Sequence, residues 1–284
     1  MTRALGRRWL APSVVLLNAC AGGAPLLHPA HTLPEGDVSF AAGTSGHLTV
    51  GELGRADARL DAVARSGDYD ETGERGFVEG ALTRLAVAPG VAPFLAGRVG
   101  LGNHNEAGIS YTGRSFRLDA RHAFEWRTVA LSLGAAGIGA LSRPADEPRQ
   151  RLDDMTGASA SLRNMKVASL GGYGAEVPVL FGYRSDADVV KLWTGLRAGF
   201  ERDSANLALV VAPDTAVSTT GEATRFWGGG LVGFSVGLAP IEVRVELDAA
   251  YQTVHGTLRK GTSDVSADVA GWSLTPAMAI SAKL

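Results

Sequence analysis

The sequence has a single cysteine, few aromatic residues and no marked excess of either charge. Its 284 residues include 1 Cys, 27 Lys and Arg and 29 Asp and Glu, and 7% are aromatic. One cysteine excludes a disulfide framework and a cysteine-rich metal site. A formal net charge of −2 argues against a nucleic-acid-binding protein, which would carry a basic excess. Outside the N-terminus, no apolar run approaches the roughly 20 residues that a membrane helix needs.

The N-terminus has the pattern of an export signal. Three arginines within the first eight residues precede an apolar stretch at residues 9–17, which is too short to span a bilayer. The stretch ends in Leu17-Asn18-Ala19-Cys20, and Cys20 is the only thiol of the chain. This motif resembles the lipobox of bacterial lipoproteins, although Asn18 stands where that family usually has a small residue.

The chain is expected to have three parts, and the resemblance implies only the signal peptide and the lipidation of Cys20. Residues 1–19 would be a lipoprotein signal peptide, and residues 20–35 would be a lipidated Cys20 followed by a flexible, proline-containing tether. Residues 36–284 would form one β-barrel domain. Covalent lipid on Cys20, including palmitate, is the only cofactor expected. Ala21 replaces the aspartate that retains such proteins at the inner membrane, so the resemblance implies lipid anchoring at the outer membrane of a Gram-negative bacterium.

From residue 36 onward, apolar and polar residues alternate with a period of two, which predicts β-strands. The alternation is clear in 241–252, where Ile241, Val243 and Val245 are separated by charged residues. Such a strand covers a soluble core, or it faces lipid on one side and a polar lumen on the other. About ten strands are predicted, with weaker ones at 38–42 and 77–87. A change of phase at Gly113 predicts a bulge.

Short and long connections alternate along the chain. The predicted tight turns are Pro89-Gly90, Glu125-Trp126, Ser185-Asp186-Ala187 and Ala239-Pro240. The predicted longer links are 44–75, 102–106, 143–168, 203–222 and 257–266. This alternation favours an all-β, up-and-down antiparallel transmembrane β-barrel of about 10 strands (8–12 possible), porin-like, with short periplasmic turns and long external loops. The alternative is a soluble antiparallel barrel or sandwich.

Six aromatic residues share the apolar phase of their strands and lie toward the end next to a proposed long loop. They are Tyr111, Tyr173, Phe200, Phe226, Tyr251 and Trp272. Aromatic side chains gather at both interfaces of a membrane barrel. The shared position of these six therefore predicts an aromatic girdle in contact with outer-membrane lipid.

The polar phase of the strands carries charges of both signs, which would face the lumen. They are Arg117, Asp119, Arg121, Glu176, Arg184, Lys191, Arg197, Glu201, Arg225, Glu242, Arg244, Glu246 and Asp248, with Arg98 and Lys283 beside them. A barrel of about ten strands is narrow, and an unpaired charge within it is costly. A network of salt bridges is therefore expected, with Arg244 between Glu242 and Glu246. The alternative is a narrow, charge-selective channel.

Catalytic and metal-binding patterns are weak. The chain contains no nucleophile elbow, P-loop, dinucleotide fingerprint or metal-ligand spacing. His104-Asn105-Glu106 is predicted in an external loop, where outer-membrane hydrolases such as omptin proteases place active residues. The paired aspartates and the Asp–His couple of that family are not both found here. His122 falls on the lipid-facing phase, so we predict that it is interfacial and that no residue is catalytic.

The sequence therefore predicts a non-enzymatic, lipid-anchored outer-membrane barrel. Its expected role is an envelope scaffold or an accessory component of a surface or transport machine. Envelope protein partners would bind the loops at 44–75, 143–168 and 203–222, because function concentrates in loops on rigid scaffolds. The alternatives are an outer-rim hydrolase of lipid or peptide, a narrow channel, and a soluble periplasmic β-lipoprotein that binds a ligand.

Overall fold

The computed structural model describes residues 23–66, 71–140, 165–212, 215–260 and 263–284. The predicted signal peptide and Cys20 lie outside these residues. The described elements are β1 (Val38–Val50), α1 (Glu52–Ser66), α2 (Glu71–Ala86), β2 (Gly90–Gly102), β3 (Asn105–Tyr111), β4 (Ser115–Trp126), β5 (Val129–Ala140), β6 (Met165–Arg184), β7 (Val190–Ala212), β8 (Thr215–Leu238), β9 (Ile241–Lys260) and β10 (Ser263–Lys283). Over the described ranges, no helix has both the length and the apolar character needed to cross a membrane.

The ten strands form one closed antiparallel barrel. Each strand pairs with its neighbours in the chain, and β1 pairs with β10 to close the sheet. The predicted all-β, up-and-down antiparallel barrel of about ten strands is confirmed. Ser39 of β1 lies opposite Lys283 of β10 at one end of this seam, and Val50 lies opposite Trp272 nearer the other. We call these the terminal end and the loop end of the barrel.

The predicted number of strands is right because two errors cancel: one predicted strand is a helix, and another is two strands, β3 and β4. Residues 77–87, predicted as a strand, belong mostly to α2. Gly113, predicted as a bulge, lies in the turn between β3 and β4 with φ of +77°, a value that glycine tolerates. Because the prediction placed one strand too many before β2, it assigned the next connections to the wrong ends of the barrel. Pro89-Gly90 therefore lies at the loop end, and 102–106 lies at the terminal end.

The barrel wall has very unequal heights. The strands β3, β4 and β5 have 7, 12 and 12 residues, whereas β7 and β8 have 23 and 24. The predicted external links 203–222 and 257–266 are therefore largely extensions of β7 to β10. Of the link 143–168, residues 165–168 belong to β6 and the rest lie outside the described residues. The link 44–75 contains the end of β1 and all of α1.

The sequence pattern of these extensions resembled polar links because their inward residues include small apolar ones and their outward residues are polar, which is the opposite of the pattern nearer the terminal end. Within β7 and β8, Ala205 and Ala223 face inward and are buried, whereas Ser204 and Glu222 face outward and are exposed. Nearer the terminal end of the same strands, charged residues face inward and apolar residues face outward. A small apolar residue between polar neighbours gives little signal of a strand.

Two helices fill the loop-end half of the lumen. In α1, Leu53, Ala56 and Leu60 are spaced by three and four residues, which places them on one helix face. They pack with Val78 and Leu82 of α2 and with inward residues of the wall, forming one buried cluster. The wall residues of this cluster are Leu170, Ala205, Ala223, Val254, Leu258 and Val269. We call α1 and α2 the helical hairpin.

Residues 23–35, which we call the N-terminal segment, lie inside the terminal-end half of the barrel. Leu26 is packed with Ala30 and Trp193, and Leu27 is packed with Phe94. This position corrects the prediction of a flexible tether, because both leucines are buried in sockets of the wall. A Cβ added to Gly100 would lie 1.9 Å from the Pro34 carbonyl oxygen, so the close passage of the segment requires glycine there.

Candidate functional site

The charged side chains of the lumen form connected groups of opposite sign. In the first group, Glu106 accepts hydrogen bonds from Arg98 and from Arg121, the latter at 2.9 Å. Asp119 accepts from Arg98 at 2.6 Å and from Arg117 at 2.8 Å. All five side chains are buried, so each arginine has a nearby carboxylate that offsets its desolvation.

A second group extends across the barrel from Arg117. The Glu176 carboxylate lies 3.5 Å from Arg117 and 3.8 Å from Arg197. Arg197 also lies 3.1 Å from Asp248, and its guanidinium carbon is 4.5 Å from the centre of the Trp227 ring. A cation over an indole face is a favourable arrangement when both are removed from water. This group links β4, β6, β7 and β9 at one level.

A third group lies at the terminal end. Glu242 contacts Lys191, and it lies 3.3 Å from both Arg244 and Lys283. Arg184 is 3.6 Å from Glu125 at the rim. The buried Glu242 carboxylate is therefore surrounded by three cations, Lys191, Arg244 and Lys283.

A fourth group lies closer to the helical hairpin. Glu201 pairs with Arg225, which also donates to Gln252 at 3.2 Å. Arg114 donates to Asp203 at 2.5 Å, and both residues are buried. Sequence reasoning missed this last pair, because Asp203 was assigned to an external link and Arg114 lies beside the unrecognised turn.

Glu246 accepts its hydrogen bonds from the N-terminal segment and from a tryptophan. It accepts hydrogen bonds from the backbone amides of Leu26 at 2.7 Å and Leu27 at 2.9 Å. The Trp193 ring nitrogen donates to it at 2.9 Å. The expected bridge of Arg244 between Glu242 and Glu246 is therefore wrong in its second half. Arg244 instead donates to the Leu27 carbonyl oxygen at 3.2 Å, since the segment lies between the side chains.

Other lumen charges also bind backbone atoms of the segment. Arg121 donates to the carbonyl oxygens of Pro29 at 2.5 Å and His31 at 2.9 Å. Glu106 accepts from the Leu33 amide at 2.8 Å. An extended chain in a lumen must find partners for its backbone groups, and these side chains supply them. The sequence of the segment gave one indication of its buried position, a run with two adjacent leucines and three prolines. Such a run excludes a helix but is compatible with a buried extended chain.

Two histidines of the segment are buried among charged side chains of the lumen. Burial lowers the pKa of His28 well below its usual value, and the neighbouring arginines act in the same direction. Burial, with a smaller contribution from Arg184, lowers the pKa of His31 from 6.5 to about 4. Both imidazoles are therefore neutral at pH 7.

Two cavities lie beside the N-terminal segment in the described part of the lumen. A cavity of about 220 Å³ lies beside His28 and His31 at the terminal end. A second cavity, of about 40 Å³, lies between Gly23 of the segment and Val87 after α2. The segment and the helical hairpin thus divide the lumen.

The outer surface of the barrel is apolar over a belt that includes all ten strands. On β9 the outward residues run from Ile241 to Tyr251 and are apolar, after which Thr253 and His255 are polar. Large exposed residues on the other strands include Phe40, Leu95, Ile109, Leu118, Leu133, Val177, Leu196, Phe234 and Met278. The belt is therefore continuous around the barrel and limited in height.

The six predicted girdle aromatics face outward at the loop-end side of this belt. Tyr251 contacts Trp272, with ring centres 5.5 Å apart, and Phe200 lies 6.3 Å from Phe226. Tyr111 lies 5.3 Å from a further aromatic, Phe116, and Tyr173 is exposed. These residues occupy neighbouring strands at a similar level.

The His104-Asn105-Glu106 group does not form an external active site. It lies at the terminal end, between β2 and β3, and Glu106 faces the lumen. His104 is 58% exposed in its side chain and 3.9 Å from Glu125. His122 faces outward and packs edge-on against Phe124. In the described part of the chain, no three His, Cys, Asp or Glu residues are arranged to hold a metal ion.

Comparisons with known proteins show similarity to solved outer-membrane proteins. No family model matches the chain, and no curated protein matches its sequence. A major outer membrane protein from Thermus thermophilus is 7% identical, with 87% of this chain and 99% of that chain covered and a TM-score of 0.35. Neisserial surface protein A is 12% identical, with 87% and 96% covered and a TM-score of 0.29. Ail of Yersinia pestis is 12% identical, with 88% and 99% covered and a TM-score of 0.28. Identities of 7% to 12% leave the function of this chain to be argued from its own residues.

Proposed function

We propose that this protein is a β-barrel of the outer membrane whose lumen is closed by its own chain, and that it acts as a scaffold. The observation that carries the proposal is a continuous apolar belt around a lumen that holds the N-terminal segment and the helical hairpin. The terminal end would face the periplasm, and the loop end would face outward. The belt supports residence in lipid, and the filled lumen argues against an open pore.

The height of the belt fits a membrane. On β9 the apolar outward face extends over the eleven residues from Ile241 to Tyr251. A tilted transmembrane strand needs about 9–11 residues. Tyr251 and Trp272 lie at the upper limit of the belt, where amphipathic rings favour the membrane interface. A soluble barrel would instead expose this apolar surface to water at a large cost in free energy.

The partner-binding surface of such a scaffold would be the tall wall above the belt. Its outward face carries charged and polar pairs, including Arg202 with Glu222 at 3.3 Å and Arg259 with Asp264 at 2.9 Å. Envelope protein partners would meet a rigid sheet there rather than the long external loops that the sequence suggested. The helical hairpin supports this sheet from inside.

Lipid anchoring through Cys20 remains part of the proposal and rests on the lipobox alone. Cys20 is three positions from Gly23, whose carbonyl oxygen accepts a hydrogen bond from Ser45 inside the lumen, and three residues reach about 10 Å at most. An anchored protein therefore holds the start of its N-terminal segment outside the lumen. Replacing Cys20 with Ser should abolish incorporation of labelled palmitate and leave precursor unprocessed. Globomycin, which blocks the lipoprotein signal peptidase, should cause the same precursor to accumulate in the unaltered protein. Equal palmitate incorporation by both proteins would contradict the anchor.

Conductance in planar bilayers tests the closed lumen. The purified protein should insert without producing steady ion current, because its own chain fills both halves of the lumen. Insertion is verified separately by protection of the belt from water-soluble labels. Large, long-lived openings of the inserted protein would contradict the scaffold and favour a channel.

A pair of substitutions on one face of β9 tests the belt. Leu247→Arg places a cation on the outward apolar face, which costs about 2–4 kcal/mol near the bilayer midplane. His255→Arg is the matched control, because His255 faces outward on the same strand above the belt. We expect Leu247→Arg to reduce the yield of folded, heat-modifiable barrel while His255→Arg does not. Equal behaviour of the two would argue for a soluble barrel.

A further inference from the structure

The wall of the lumen recognises the N-terminal segment mainly through its backbone. Seven wall side chains make nine hydrogen bonds to backbone atoms of residues 23–33. They are Ser45, Glu106, Glu125, Arg121, Arg197, Arg244 and Glu246. Carboxylates accept from amides and arginines donate to carbonyl oxygens. Recognition of this kind depends on an extended backbone more than on the side chains that it carries.

The segment's own side chains fit the lumen unequally. Leu26 and Leu27 each occupy a separate apolar socket and are at most 3% exposed. By contrast, Nε2 of His28 and both ring nitrogens of His31 are buried without a hydrogen-bond partner. These imidazoles border the cavity of about 220 Å³. The lumen therefore provides fitted apolar sites for two adjacent aliphatic residues and leaves three imidazole nitrogens of the segment without a hydrogen-bond partner.

The segment is also separable from the barrel. It contributes no strand to the closed sheet, so its removal breaks no bond of the strand ladder. It joins β1 through a turn at Gly36, which has φ of +83° and donates to the Gly100 carbonyl oxygen at 3.0 Å. Glycine is suited to such a hinge because it accepts many backbone conformations.

We propose that the terminal-end half of the lumen is a binding site for an extended peptide with two adjacent aliphatic residues. In this structure the protein's own residues 23–33 occupy the site. A peptide from another chain binds it when the N-terminal segment leaves. This gives the closed barrel a ligand class that goes beyond the scaffold function proposed above.

The test uses the full-length protein and a labelled synthetic peptide with the sequence of residues 23–35. The double variant Leu26→Asp, Leu27→Asp should expel the protein's own segment, because two carboxylates cannot enter the apolar sockets. Fluorescence anisotropy should show saturable binding of the peptide to the double variant and at least tenfold weaker binding to the unaltered protein. A double variant that migrates as a folded, heat-modifiable barrel but binds no peptide would overturn the proposal.

Backbone recognition is tested by changing the peptide. N-methylation of the Leu26 and Leu27 amides removes both donors to Glu246 and should weaken binding at least tenfold. N-methylation at His28, whose amide is not one of the nine backbone partners, is the control. Adding Glu246→Gln to the double variant should weaken binding of the unmodified peptide to a similar degree. Equal binding of all peptides would overturn the proposal.

A second form of the binding test uses no substitution at Leu26 or Leu27, so it applies even where the double variant does not fold. A protease site inserted between Glu35 and Gly36 of the full-length protein allows the segment to be cut after folding. The labelled peptide should then exchange into the cut protein and not into the uncut protein. Failure to exchange would overturn the proposal, whereas bilayer conductance and the belt substitutions report on the scaffold function independently.

Discussion

The two halves of the lumen are filled by chain segments of opposite character. Toward the terminal end the wall is charged and holds an extended segment, whereas toward the loop end it is apolar and holds two helices. On β9 the change occurs between Gln252 and Val254, since the inward residues before it are mostly charged and those after it include Val254 and Leu258. One continuous strand therefore serves both environments.

The difference follows from the backbone of each occupant. A helix pairs its own amides and carbonyls, so the helical hairpin needs only apolar contacts with the wall. An extended chain leaves these groups open, so the wall must provide donors and acceptors at the right spacing. Glu246 and Arg244, two residues apart on β9, supply an acceptor to the amide and a donor to the carbonyl oxygen of Leu27. The lining of each half thus matches the secondary structure that it encloses.

The largest effect is expected in the charged half. Glu106→Ala removes the carboxylate shared by Arg98, Arg121 and the Leu33 amide. Breaking a buried pair of this kind costs roughly 3–5 kcal/mol, because the arginines remain buried without it. Urea unfolding followed by tryptophan fluorescence measures the loss. Glu222→Ala on the exposed outer face is the control, and equal stability of the two variants would show that Glu106 is not buried.

A smaller side chain in the buried cluster should destabilise the apolar half of the lumen. Leu82→Ala in α2 removes a fully buried side chain, at a cost of about 2–5 kcal/mol from lost contacts and the cavity left behind. The change should speed hydrogen exchange in α1 and α2 and leave that of residues 23–35 unchanged. Accelerated exchange in both halves would mean that they are coupled rather than independent.

Acidification should weaken the charged half selectively. The charged groups around the two histidines are Arg98, Arg117 and Arg121 for His28, and Glu125, Arg184, Asp188 and Lys191 for His31. The pKa values of His28 and His31 in the folded protein lie below 6.5, the value in the unfolded chain. The stability that the two neutral imidazoles contribute is therefore fully present above pH 6.5 and is lost as the pH falls toward about 4. At pH 5 we expect a loss of roughly 1–2 kcal/mol in lumen binding of the segment.

Hydrogen exchange of residues 23–35 at pH 7.5 and pH 5, corrected for intrinsic rates, measures this loss. The variant His28→Asn, His31→Asn should remove the pH dependence. The α1 and α2 amides should not follow it, because His28 and His31 lie around the cavity at the terminal end, away from the helical hairpin. A pH dependence that persists in the double variant would assign the effect to other groups.

The smallest effect is expected above the belt. Arg259 and Asp264 are paired across β9 and β10, but their side chains are 68% and 50% exposed. Exposed pairs contribute little to the free energy of unfolding, because water screens them. Arg259→Ala should therefore leave the urea midpoint almost unchanged. A loss comparable to that of Glu106→Ala would show that this wall is buried by a partner.

The sequence predicted the part of the fold that depends on side-chain alternation. On β9 the inward position of Glu242, Arg244, Glu246 and Asp248 followed directly from their alternation with apolar residues. The hydrogen-bond partners of Glu246 could not be found in this way. They are backbone amides some 220 residues away, and a backbone amide leaves no mark on composition or period.

The helical hairpin was missed for a different reason. The spacing of Leu53, Ala56 and Leu60 is helical, yet the long polar surface of α1 made the region resemble an external loop. In α2, Gly76 and Gly80 weakened the helical pattern. Gly80 is required by packing, because a Cβ there would lie 2.5 Å from the Ala56 carbonyl oxygen of α1.

The seam between β1 and β10 sets an order of events during assembly. It joins residues 38–50 to residues 272–284, so its pairs are separated by more than 200 positions in the chain. Contacts between such distant residues require the largest loss of chain entropy and form late. The N-terminal segment and the helical hairpin flank β1 in sequence, and both end up inside. We therefore expect the helical hairpin to be enclosed as the last strands join, whereas the N-terminal segment, which joins β1 through the turn at Gly36, enters from the terminal end.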